Sequence, residues 1–235
     1  MKKITYLVFT LFFSYPAFSQ QYSIKNIQIV SNNEKNEGFI FRGSQPFKES
    51  HYEQLKKMNI KNVIIFKLEN TYEVFDEKLK LIEYGFEPEN IFHIPMKWKN
   101  FKNFTEACEQ TKLALEILIK SYINKERTYF HCTAGQDRTG YLDGLFQILI
   151  NQKNSIEEVF QNRLCQFGYS SADSKKPMAI SKAIDQELTV YFQQIAQKIQ
   201  ALKEIGQSIE DLNCQSDTQE NIKLVPMSCL NIKSN

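Results

Sequence analysis

An α/β domain built on a central sheet is the fold class that this 235-residue sequence predicts. Three observations carry it. Residues 63–66, Val-Ile-Ile-Phe, form a continuous apolar run rich in β-branched side chains, the pattern of a strand buried on both faces. Runs of that kind alternate along the chain with segments of helical periodicity, as happens when helices connect neighbouring strands. Finally, a short strand-like run at 128–130 passes through a tight loop straight into an apolar-periodic segment at 141–150, giving strand, loop and helix in succession.

The elements follow in order. Residues 20–37 are polar apart from an apolar-rich piece at 24–30, and 31–37 read as an Asn/Glu/Lys-rich turn. Phe39, Ile40 and Phe41 predict a short strand running into a loop at 42–46. Ser50 is placed to cap a helix that sets Tyr52, Leu55 and Met58 on one face. After the strand at 63–66, Val74, Leu79, Leu81, Ile82 and Phe86 predict a helix with Gly85 near its end. Ile91 to Ile94 is the next strand, closed by Pro95.

Residues 105–123 make an amphipathic helix through Ala107, Thr111, Ala114, Leu115, Leu118 and Tyr122, and a further helix is predicted at 139–151. Ser155 and Glu158 form a capping box for a helix through Val159, Phe160 and Leu164. Ile180, Ile184, Leu188, Tyr191, Ile195, Ile199 and Leu202 recur at helical spacing as one long packing stripe. The last 20 or so residues lack periodicity. No internal repeat or low-complexity linker interrupts the chain. The organisation expected is a leader at 1–19, one domain at 20–212 and a tail at 213–235.

Charge excludes little beyond one class. With 29 Lys and Arg against 27 Asp and Glu, the net charge is +2, and no long basic block is present. That argues against a nucleic-acid partner held by bulk charge. The N-terminus is more informative. Met1, Lys2 and Lys3 form a positive start, residues 4–13 an apolar stretch, and Ala17 and Ser19 place small residues before a cleavage point after Ser19. The apolar stretch falls short of the roughly 20 residues needed to span a bilayer. The expectation is a cleaved signal peptide and a secreted or periplasmic protein without stable membrane insertion. An uncleaved anchor or a buried strand remain the alternatives for this segment.

Five cysteines follow the leader: Cys108, Cys132, Cys165, Cys214 and Cys229. An odd number leaves one unpaired, and the loop context selects Cys132. In an oxidising compartment the other four can form two disulfides. Cys214 and Cys229 share the polar C-terminal segment and are the first candidate pair. Cys108 and Cys165 fall inside predicted helices, where they can equally be small buried hydrophobes. Paired Cys-x-x-Cys spacing is missing, so no structural zinc, and no other metal or cofactor, is expected.

The chemistry concentrates at residues 130–140, Phe-His-Cys-Thr-Ala-Gly-Gln-Asp-Arg-Thr-Gly. Unpaired N–H groups and the helix dipole make the start of a helix an anion cradle. The same field draws the Cys132 thiol below its free pKa of roughly 8.5. Cysteine-dependent phosphoester cleavage needs a thiolate, a clamp for the non-bridging oxygens and an acid for the leaving group. Cys132 is the nucleophile. Arg138 is the clamp, since a guanidinium binds phosphate oxygens in bidentate fashion where lysine cannot. The backbone of Thr133, Ala134, Gly135 and Gln136 completes the phosphate-binding set, with Gly135 allowing the curvature. Thr139 donates its hydroxyl to the thiolate and steadies it as a leaving group. His131 is grouped with the phosphate-binding residues because it can orient the loop by hydrogen bonding, although strand alternation points it away from the loop interior.

His-Cys-x5-Arg-Thr-Gly resembles the signature of the protein tyrosine phosphatase superfamily, in particular its compact, bacterial dual-specificity-like branch. Residues 41–46, 60–68 and 93–96 are similar to upstream segments of bacterial members in the same order, so the resemblance spans about 38–165. It implies the cysteine-phosphatase fold, a mixed and mostly parallel sheet flanked by helices. It also implies hydrolysis of phosphate monoesters through a phosphocysteine intermediate. Relatives usually carry an acidic Asp on a loop that would follow Met96, yet residues 97–103, Lys-Trp-Lys-Asn-Phe-Lys-Asn, hold no carboxylate. Asp137 is the candidate acid in its place, by similarity to bacterial and lipid phosphatases with an Asp in this loop. Glu69, Glu73 and Asp76 are held in reserve.

Lys97 and Trp98, with Lys99 and Lys102, put positive charge and an aromatic face at the pocket rim. That suits inositol phosphates and phosphoinositides, and equally a phosphotyrosine ring stacked on Trp98. Arg42 either contacts substrate or braces the domain. A phosphorylated protein or an inositol phosphate is therefore the expected partner of a monomer. The alternative is a phosphate-binding interaction module with weak or no turnover, and an oxyanion-handling redox enzyme is a third, lesser reading.

Overall fold

The computed structural model describes residues 23–32, 38–68, 72–151, 154–215 and 224–229. The predicted leader at 1–19, most of the turn at 31–37, Glu69 and parts of the tail lie outside the described residues. Among these described residues five strands form one sheet in the order β1-β2-β5-β3-β4. They are β1 (Gln28–Asn32), β2 (Gly38–Ser44), β3 (Asn62–Phe66), β4 (Ile91–Ile94) and β5 (Thr128–Cys132). β1 runs antiparallel to β2, and the remaining neighbours are parallel. Among the described residues seven α-helices accompany them: α1 (Glu49–Lys57), α2 (Glu73–Glu83), α3 (Phe104–Asn124), α4 (Asp137–Ile150), α5 (Ile156–Val159), α6 (Met178–Gln186) and α7 (Leu188–Glu204). The mixed, mostly parallel α/β sheet flanked by helices is the fold class read from the sequence.

The period-two alternation of strands divides the interior in two. Ile40, Ile64, Phe66, Ile94 and Phe130 point into the larger core, shared with Leu115 and Leu118 of α3, Leu142 and Leu145 of α4, and Ile195 and Ile199 of α7. Phe41, Val63, Ile65 and Tyr129 point to the opposite face, against Tyr52 and Leu55 of α1 and Val74 and Leu81 of α2. β5 lies in the middle of the sheet, buried along its whole length. Its last pairings set His131 beside Gly43 and Cys132 beside Ser44. The segment 42–46 is thereby brought against the predicted anion loop.

Several boundaries differ from the sequence reading. β1 pairs with β2 where only an apolar-rich piece was expected, and β2 continues to Ser44 instead of yielding to a loop at Arg42. α1 starts at Glu49 behind an extended Lys48 with no side-chain cap, so Ser50 is inside the helix. Leu79 and Ile82 of α2 are exposed, while Glu77 takes a buried position. α4 begins at Asp137, two residues before the predicted start, which places Asp137 and Arg138 in its first turn. The Ser155–Glu158 capping box is present, but the helix it opens passes through a π turn over Phe160–Leu164. The long stripe at 180–202 is two helices divided at Glu187, whose carboxylate accepts the Phe101 N–H at 3.2 Å. Apolar spacing alone cannot tell one helix from two that share a packing face.

The disulfides correct the expected pairing. Cys108 bonds to Cys214 and Cys165 to Cys229. Each bridge ties a helical segment of the domain to the C-terminal segment, so Cys214 and Cys229 are not partners. Cys132 is the free cysteine. No described helix is long and apolar enough to cross a membrane.

Candidate active site

The loop from Cys132 to Arg138 is held by its own carbonyl groups. The Thr133 carbonyl accepts the Gln45 N–H at 3.2 Å, and the Ala134 carbonyl accepts Asn26 Nδ2 at 2.8 Å. The Gly135 carbonyl accepts Arg42 Nη2 at 3.0 Å. In a trans peptide the C=O of one residue and the N–H of the next point to opposite sides. Carbonyls drawn outward therefore turn the N–H groups of Ala134, Gly135 and Gln136 inward, and the first turn of α4 adds its unpaired donors. The result is a concave nest of N–H groups at the end of β5. Gly135 has φ +72°, and a Cβ there would lie 2.6 Å from the Ser44 nitrogen, so this position accepts only glycine.

Arg42 organises this cradle from beneath. It is fully buried, ion-paired to Asp143 of α4 at 2.8 Å, and also donates to the Arg163 carbonyl at 2.9 Å. Asp143 receives a further bidentate contact from Arg163 at 3.1 Å for each bond. A guanidinium engaged by these buried acceptors is a brace, which settles the two readings of Arg42 in favour of support.

Cys132 is 3% exposed at the base of the nest. Burial pushes its thiol pKa up, but the Arg138 charge and hydrogen bonds from Thr139 outweigh that and hold it below the ordinary value. Thr139 is fully buried, and its Oγ1 accepts the Cys132 N–H at 2.8 Å. Arg138 donates to the Met96 carbonyl at 3.2 Å and reaches Thr133 Oγ1 at 3.4 Å. The guanidinium is thus fixed between the loop and the segment after β4.

Three expected site residues turn elsewhere. The His131 ring is fully buried below the loop, with Nε2 2.7 Å from Glu77 Oε1 and Nδ1 3.1 Å from the Cys132 carbonyl. It supports the loop and does not face a bound phosphate, because alternation along β5 sends it to the α2 side with Tyr129. The Gln136 side chain donates to Asp173 at 3.0 Å, so only its backbone belongs to the nest. Asp137 Oδ1 accepts from the Ser170 N–H at 2.8 Å and from Lys176 Nζ at 2.6 Å. Its Oδ2 makes no hydrogen bond among the described residues.

Above the nest lies a cavity of about 470 Å³, lined by Thr133 and Arg138 together with Lys67, Lys97, Trp98 and Lys99. Lys97 pairs with Glu106 at 2.8 Å, and Lys99 Nζ sits 4.7 Å from the centre of the Trp98 ring. The rim predicted from Lys97 and Trp98 therefore stands at the cavity. Lys67, at the end of β3, is an addition that the sequence did not single out, because a lysine following an apolar strand reads as a solvated end. Of the reserve acids, Glu73 lines this cavity, and Asp76 lines an adjoining one of about 680 Å³.

No protein-family model and no curated protein sequence matches the chain. Similar solved structures include the core catalytic domain of the PP-IP phosphatase SIW14 from S. cerevisiae, at 20% identity and a TM-score of 0.48 over 74% of this chain and 93% of that one. Kinase associated phosphatase is similar at 15% identity and a TM-score of 0.48, covering 69% of this chain and 90% of its own. PTPMT1 is similar at 14% identity and a TM-score of 0.49, covering 77% and 99%. At these identities and TM-scores the likenesses assign neither activity nor substrate to this chain.

Proposed function

We propose that this chain is an exported, cysteine-dependent phosphatase that hydrolyses phosphate monoesters through a phosphocysteine intermediate. The observation that carries the reading is the convergence at one loop of a low-pKa thiol, a fixed guanidinium and an inward-facing set of backbone donors. Cys132 Sγ attacks phosphorus as the ester P–O bond breaks. The non-bridging oxygens are held by Arg138 and the loop N–H groups as their charge develops. Asp137 Oδ2 gives its proton to the leaving oxygen. Water then attacks phosphorus, returns a proton to Asp137 and releases phosphate as the P–S bond breaks, and Thr139 steadies the departing thiolate.

Nucleophile, clamp and acid come from a single chain, in keeping with a monomer. Export is supported by the leader-like sequence at 1–19 and by the two disulfides, which persist in oxidising compartments. Phosphorylated proteins and inositol phosphates are the substrate classes that the lysines and Trp98 at the rim accommodate. The first test is phosphate release from p-nitrophenyl phosphate by the purified protein, with Cys132→Ser as the control. Turnover lost in that variant supports the reading. A wild-type protein that binds phosphate but releases none is instead a phosphate-binding module.

A further inference from the structure

We propose that Lys67, acting with Lys97 and Lys99, forms a second anion subsite beside the catalytic loop, and that the substrate carries a second phosphoryl group next to the scissile one. This rests on the phosphatase reading of the same cavity. Arg138 and the N–H nest account for one phosphoryl group. The cavity is nevertheless lined by three more cations, Lys67, Lys97 and Lys99, with Glu73 the carboxylate in its lining and Glu106 paired to Lys97.

Lys67 is the informative member. It is 2% exposed, and burying an ammonium is costly unless acceptors surround it. Its Nζ has two acceptors, Gln45 Oε1 at 2.7 Å and Glu73 Oε2 at 3.2 Å. An ammonium carries three N–H bonds, so one donor is left for a ligand. Glu73 is 55% exposed on its side chain, and an ion pair with so exposed a partner is weak and readily exchanged. A phosphoryl group brings more charge and more acceptor oxygens than the carboxylate it displaces. Lys99, lying over Trp98, and Lys97 line the same cavity. A purely structural Lys67–Glu73 pair would need no further cations around it.

The shared chemistry is a two-phosphoryl ligand, whether a diphosphate or two esters on adjacent carbons. Binding is measured by calorimetry in the Cys132→Ser background, with orthophosphate, pyrophosphate and inositol 4,5-bisphosphate as probes. At least one two-phosphoryl probe is expected to bind about tenfold more tightly than orthophosphate, as one or two charge-assisted hydrogen bonds supply. The tighter probe identifies the source. Adding Lys67→Met is expected to bring the ratio to within about threefold of unity, whereas adding Glu73→Gln, which removes the competing carboxylate, is expected to raise it. A misfolded variant cannot produce that rise. A ratio near unity in the Cys132→Ser protein, or one unmoved by either change, overturns the subsite. So does a singly phosphorylated tyrosyl peptide that outbinds both two-phosphoryl probes. Turnover of p-nitrophenyl phosphate by the wild type tests the phosphatase reading separately, so the two proposals fail independently.

Discussion

Lys176 Nζ lies 2.6 Å from Asp137 Oδ1, and the same oxygen accepts the Ser170 N–H at 2.8 Å. The carboxylate that the sequence nominates as the acid is therefore fixed on one oxygen and open on the other. The acid role proposed for Asp137 therefore rests on Oδ2, the oxygen that these contacts leave unengaged. Asp137→Asn is expected to lower kcat on an alkyl phosphate by about 100-fold or more, within the range of general acid catalysis, and on p-nitrophenyl phosphate much less, since a good leaving group needs little protonation. Steady-state kinetics on the two substrates makes the comparison. Small, equal losses would return the acid role to Glu73, which lines the cavity.

The thiol provides a pH prediction. Cys132 is held below its ordinary pKa because Arg138 and Thr139 outweigh the cost of burial. The reactive form is the thiolate, which persists down to the folded-state pKa and is lost as pH falls through it. Alkylation by iodoacetamide, followed against pH, is expected to rise with a midpoint below the roughly 8.5 of a free cysteine. In Arg138→Met the midpoint is expected to move upward, because the charge is gone while the burial remains. An unchanged midpoint would detach Arg138 from thiolate stabilisation.

Much of this site was legible because the chemistry is local. Cys132, Arg138 and Thr139 lie within eight residues, and the strand and helix on either side announce themselves by periodicity. What the sequence could not display is what approaches the loop from elsewhere. Arg42 is 93 positions from the Gly135 carbonyl it holds, and Lys176 is 39 from Asp137. Alternation alone turned His131 away from the loop interior, against its grouping with the phosphate-binding residues, and its partner Glu77 sits in an α2 pattern that predicts a solvated acid. The disulfides were hidden for the same reason, since Cys108 and Cys214 are 106 residues apart. Composition shows that two bridges are possible, whereas only the three-dimensional path shows which cysteines meet.

The bridge between Cys108 and Cys214 closes the longer loop and secures the C-terminal segment against α3. Replacing both cysteines by serine is expected to destabilise the fold by about 2–5 kcal/mol, the usual cost of losing a native disulfide. Urea unfolding under non-reducing conditions, compared with the parent protein, gives the value. Cys214 is also part of the larger hydrophobic core, so part of the loss comes from placing a hydroxyl there.

Arg42→Met isolates the brace from the chemistry. The substitution keeps an apolar stem in a fully buried position but removes the ion pair to Asp143 and the donor to the Gly135 carbonyl. Breaking a buried pair typically costs about 3–5 kcal/mol, and the lower end applies here because Asp143 keeps its bidentate contact with Arg163. The catalytic consequence is separate. With its carbonyl released, the peptide joining Gly135 and Gln136 is free to rotate, and the Gln136 N–H no longer faces the anion by default. The expected signature is weaker orthophosphate inhibition and a lower kcat on p-nitrophenyl phosphate, measured at a temperature where circular dichroism shows the variant folded. A folded variant with parental phosphate affinity would mean that the loop keeps its carbonyls outward without Arg42, and the nest would owe its shape to Asn26, Gln45 and Gly135 alone.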